Sequence, residues 1–88
     1  MGLVQLGRAR LAWVLPRHRE LLRITKNNEL YDLFEAYARE SIKLDNLLRE
    51  VPRREKQVSE HQQTCLDLQA EVVGLLTRLT ERVKPGAV

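Results

Sequence analysis

Cysteine is nearly missing from this 88-residue chain, with Cys65 the only one. A single thiol rules out an internal disulfide, cannot by itself build a cysteine-based zinc site and gives no sign of an oxidising compartment, so a cytoplasmic location is expected. Aromatic residues make up 5%, and there are only four glycines and three prolines. With 43% hydrophobic and 31% charged residues, the composition is too apolar for wholesale disorder and rich in helix-favouring residues. Long apolar runs are missing too. The longest near the start is Leu11-Ala12-Trp13-Val14-Leu15, far short of the ~20 residues that span a bilayer. Arg8 and Arg10 interrupt the apolar residues where a secretory signal would need a clean stretch, and Leu6 stands where a myristoylation motif needs Ser or Thr. An Arg-rich start with no acid before Glu20 leaves a mitochondrial presequence as the alternative location, although serine does not occur in the first forty residues.

The net charge of +3 hides an uneven distribution. Residues 1–28 hold six basic side chains (Arg8, Arg10, Arg17, Arg19, Arg23 and Lys26) against Glu20 alone, a balance of +5. Residues 29–52 carry six acids against three bases, and residues 53–88 carry six bases against five acids. A basic arm leading into an acidic helix points to a nucleic-acid or anionic-membrane contact, or else to an arm folded back on that helix.

The spacing of apolar residues predicts an all-α protein: an antiparallel helical hairpin, coiled-coil-like, preceded by a short basic helical arm. The arm covers residues 1–27. Leu3, Leu6 and Trp13 or Val14 recur at helical steps, but Gly7 weakens that helix by about 1 kcal/mol relative to alanine. Pro16 suits the first turn of a second short helix, and Thr25 to Asn28 reads as a break with Asn28 as the N-cap of the next helix.

From Leu30 the pattern sharpens. Leu30, Phe34, Tyr37, Ser41, Leu44, Leu48 and Val51 follow the alternating steps of four and three of a coiled-coil seam, with Ser41 as its polar interruption. Glu35–Arg39 and Asp45–Arg49 are acid-then-base pairs one turn apart on the solvated side. Pro52 ends this run, and a reversal near residues 51–54 is expected, with Arg53, Arg54 and Lys56 at the tip. The second arm repeats the seam with Val58, Gln62, Cys65, Leu68 or Gln69, Val72, Leu76, Leu79 and Val83. Its register sets Leu48 opposite Val58, Ser41 opposite Cys65 and Phe34 opposite Val72. Lys84-Pro85-Gly86 stops the helix and leaves 85–88 as a disordered tail, so the hairpin spans residues 28–84.

Two helices share a single seam, and Val72 to Leu79 carries more apolar surface than one facing helix covers. A third element must close it: the N-terminal segment through Leu21, Leu22 and Ile24, a second copy of the chain, or a partner helix. The expected function is therefore a non-enzymatic interaction module. It would self-associate as a homodimer or bind a partner protein helix through Leu30, Phe34, Tyr37, Leu44, Leu48, Val58, Cys65, Val72, Leu76 and Leu79. The alternative is a nucleic-acid or anionic-membrane-surface binder acting through Arg8, Arg10, Arg17, Arg19 and Arg23, with Trp13 stacking on a base or seated at the membrane interface.

No catalytic pattern accompanies these features. His61 and Cys65 lie one turn apart, but a closed zinc site needs four ligands and the neighbourhood adds only acids such as Glu60. There is no phosphate loop, no Ser-His-Asp arrangement and no glycine-rich turn. Neither a cofactor, a metal nor a small-molecule substrate is expected.

Overall fold

Helix signals in the sequence become four α-helices in the structure, a computed structural model that describes residues 2–82. They are α1 (Leu3–Val14), α2 (Arg19–Ile24), α3 (Asn28–Leu48) and α4 (Glu55–Arg82), with a single 3-10 turn at Pro16–His18 between the first two. No strand occurs among the described residues. The expected tail at 85–88, the stop signal at Lys84-Pro85-Gly86 and the seam position Val83 lie outside them.

Each boundary has a local cause. At the start of α1 the Gly2 N–H donates to Gln5 Oε1 at 3.2 Å, engaging one of the amides that a helix start leaves open. Pro16, which has no N–H to donate, opens the 3-10 turn that leads into α2. The N-cap of α3 is Asn27, not Asn28: its side-chain oxygen accepts the Leu30 N–H at 2.9 Å. The two neighbouring asparagines have equal intrinsic capping ability, so the sequence does not separate them. Asn28 becomes the first helical residue and Glu29 faces the positive end of the helix dipole.

The far end of α3 departs from the expected seam. The helix ends at Leu48, and Val51, counted as a seam position, is 94% exposed in the connection to α4. Pro52 disfavours helical angles at Val51 itself, and Leu47 takes the buried place at the end of the stripe. The Val51–Pro52 peptide is cis.

A single cluster forms the main core: Leu11 of α1, Leu22 of α2, Leu30, Phe34 and Tyr37 of α3, and Cys65, Val72, Leu75 and Leu76 of α4. Leu11, Leu22, Leu30, Phe34 and Val72 are fully buried. The N-terminal third thus supplies core residues and packs α1 along α3. At Gly7 the helix lies directly against the Phe34 backbone. A Cβ built there would lie 1.8 Å from the Phe34 carbonyl oxygen and 2.5 Å from its carbonyl carbon. The glycine read as a weakness of α1 is the residue that lets two helix backbones touch.

Candidate functional site

A groove of about 580 Å³ lies between α1, α3 and α4. Its α1 wall is Trp13 and Val14, its floor is Tyr37, Ser41 and Leu44 of α3, and its far wall is Cys65, Leu66 and Gln69 of α4. Large apolar groups on its border face solvent: Trp13 is 81% exposed, Leu66 55% and Val14 46%.

Most polar groups in the groove are engaged across helix contacts. Arg10 reaches from α1 to α3, donating from one terminal guanidinium nitrogen to Ser41 Oγ and to Asp45 Oδ2, each at 2.9 Å. Ser41 Oγ in turn donates to the Ala38 carbonyl at 3.1 Å. The polar interruption of the seam is therefore the anchor of the basic arm. It also takes Asp45 away from Arg49, its expected partner one turn along the helix, because a guanidinium delivered from α1 reaches it across the helix interface. The second expected pair, Glu35–Arg39, forms at 3.1 Å.

Across the α3–α4 contact, Gln69 Nε2 donates to the Tyr37 hydroxyl at 3.1 Å. Burial pushes the Tyr37 phenol above its ordinary pKa, against the lowering effect of the Gln69 bond. Burial also raises the Cys65 thiol, with the charges of Glu40 and Asp45 acting in the same direction. Beside the groove, His61 Nδ1 lies 2.6 Å from Glu40 Oε2, a contact only partly open to water. At the connection, Arg54 grips Glu50 through two hydrogen bonds of 2.8 and 2.7 Å, which hold the Glu50 carboxyl below and the Arg54 guanidinium above their usual ranges.

Of the ten residues read as interface, only Tyr37, Leu44 and Cys65 line the groove. Leu30, Phe34, Val72 and Leu76 are buried in the chain's own core, Val58 is buried, and Leu48 and Leu79 are half-buried. Val14 and Leu66 were not among the residues read as interface, because periodicity ranks positions by their own helix and both stand at the edge of a stripe. Trp13 carried a signal, a lone tryptophan in a basic amphipathic segment.

The arginines of the arm fare differently from one another. Arg10 is committed to α3, Arg23 pairs with Glu20, and Arg19 Nε donates to the Ala12 carbonyl at 3.3 Å near the end of α1. Arg17 is exposed and Arg8 half-buried. Gln5, Arg8, Ala9 and Ala12 of α1 and Arg19, Leu22 and Arg23 of α2 line a second cleft of about 390 Å³.

Among the described residues no three His, Cys, Asp or Glu side chains gather as metal ligands, and no helix is long and apolar enough to cross a membrane. Compared with known proteins, the chain matches no family model, no curated protein and no solved structure.

Proposed function

We propose that the protein is a helical interaction module that pairs with a second copy of itself through the groove between α1, α3 and α4. In this reading α3 and α4 form an antiparallel, coiled-coil-like hairpin, and the basic arm closes its open side. The cross-helix contacts support the antiparallel sense: the partner of Tyr37 is Gln69 and that of Glu40 is His61, so numbers rise along α3 as they fall along α4. A cytoplasmic setting suits a single buried thiol.

The observation that carries the reading is Trp13. A tryptophan left 81% exposed on the lip of an apolar groove is an unfilled knob beside an unfilled hole. A two-fold interface brings the same patch together from both copies, so each Trp13 can enter the groove of its partner. Buried aromatics of this kind supply a large share of interface energy.

Light scattering or sedimentation of the full chain tests it. The unaltered protein is expected to run as a dimer. Leu66→Asp places a carboxylate on the far wall, at a side chain 55% exposed in the single chain, and is expected to give a folded monomer. A monomeric unaltered protein across the accessible concentration range overturns the reading.

A further inference from the structure

We infer that the groove between α1, α3 and α4 is an indole site, in which Arg10 faces the ring of the second copy's Trp13 and Asp45 accepts its ring N–H. The inference rests on the self-pairing reading and adds the chemistry by which one copy recognises the other.

Arg10 is the first argument. Both of its hydrogen bonds leave from one terminal nitrogen, and its side chain stays 34% exposed where it lines the groove. A guanidinium tied at one corner keeps a planar face for an aromatic ring, and tryptophan is the ring that a cation attracts most strongly. Ser41 and Asp45 hold that cation before the ring arrives, so little side-chain freedom is lost on pairing.

The acceptor is the second argument. A buried indole needs a place for its N–H. Asp45 engages Arg10 through Oδ2, and among the described residues its other oxygen, Oδ1, has no hydrogen-bond partner. A carboxylate is a strong acceptor, and an aliphatic side chain in the same place would cover it and give nothing in return. Val14, Leu44 and Leu66 supply apolar contact for the rest of the ring. A volume of about 580 Å³ is room for a bicyclic ring.

The matching ligand stands on the same face. Trp13 follows Arg10 by three residues, about one turn of α1, and borders the same groove. Its 81% exposure leaves the ring outside its own groove. A two-fold axis beside the groove sets each Trp13 by the other copy's Arg10.

Sedimentation of the full chain at several concentrations tests this on the unaltered protein, Trp13→Phe, Trp13→Leu, Arg10→Met and Arg10→Met/Trp13→Leu, with circular dichroism checking each fold. Each contact occurs twice in a two-fold pair. Trp13→Phe keeps a ring without an N–H and is expected to weaken pairing about tenfold, and Trp13→Leu, which keeps only apolar bulk, more than that. Arg10→Met loosens α1 on α3 whichever side chain occupies position 13. A contact between Arg10 and the ring makes the loss from Trp13→Leu at least about fivefold smaller in the Arg10→Met chain, while the two substitutions add in the unfolding midpoint of the monomer. Phenylalanine or leucine pairing as tightly as tryptophan, losses that simply add in the cycle, or equal coupling in the monomer's midpoint overturns the inference and leaves self-pairing standing. Trp13 is the only tryptophan, so emission already blue-shifted at dilutions where the chain is monomeric places it in its own groove and overturns the inference too. An unaltered chain that is monomeric at every concentration overturns self-pairing itself, and this inference with it.

Discussion

Cys65 shows at the scale of one residue how position changes chemistry. On its own helix it is a small apolar seam member, and its burial in the main core agrees with that. The same burial disfavours the thiolate, as do the charges of Glu40 and Asp45, so the folded pKa lies above the ordinary 9.0. The unfolded chain then loses its thiol proton at lower pH than the folded one. The contribution of the buried thiol is present in full below about pH 9 and declines as pH rises from there through the folded value. Tyr37 acts with the same sign from its ordinary 10.0 upward. Chemical unfolding midpoints measured from pH 7 to pH 10.5 should fall less steeply for Cys65→Ala than for the unaltered chain above pH 9. Parallel curves would show that the thiol is not desolvated. Ser41 carries the complementary lesson. Read along α3 it is a defect, yet in the fold it accepts from Arg10 and donates to Ala38. A polar group in a seam has meaning only once its partner helix is known.

Between elements, the decisive contact is α1 on α3, and it turns on Gly7. Replacing glycine by alanine in an isolated helix is favourable by about 1 kcal/mol. Here the added methyl would meet backbone atoms of Phe34 at 1.8 and 2.5 Å, which no side-chain rotation can relieve. Overpacking of this kind costs about 1–3 kcal/mol, sometimes more, so Gly7→Ala should lower the denaturant midpoint although it improves helix propensity. An unchanged or raised midpoint would mean that α1 does not press on α3 in this way. The all-helical class and the buried stripe from Leu30 through Ser41 were legible because period is a local property. The tight approach of α1 was not, since a glycine that permits contact and one that merely weakens a helix look alike in sequence. The groove was legible only in part, through Tyr37, Leu44 and Cys65, because its outer wall comes from Trp13 and Val14 on a helix whose placement no periodicity gives.

For the whole molecule, the consequence is that the basic arm is structural whatever else it binds. Leu11 and Leu22 are fully buried against residues of the long helices, and Arg10 ties α1 to Ser41 and Asp45. Burying a leucine contributes about 1.5–3 kcal/mol, so these two alone supply about 3–6 kcal/mol. A domain this small has a total stability near the low end of about 5–15 kcal/mol. Removing residues 1–26 therefore uncovers Leu30, Phe34 and Leu76 and withdraws a stabilisation comparable to the whole. The shortened chain should lose much of its circular-dichroism helicity, or recover it only by associating through the uncovered core into species larger than the dimer proposed for the full chain. Sedimentation at several concentrations separates the two results, because association makes helicity depend on concentration and simple unfolding does not. A shortened chain that stays monomeric with undiminished helicity would show that α3 and α4 hold together without the arm.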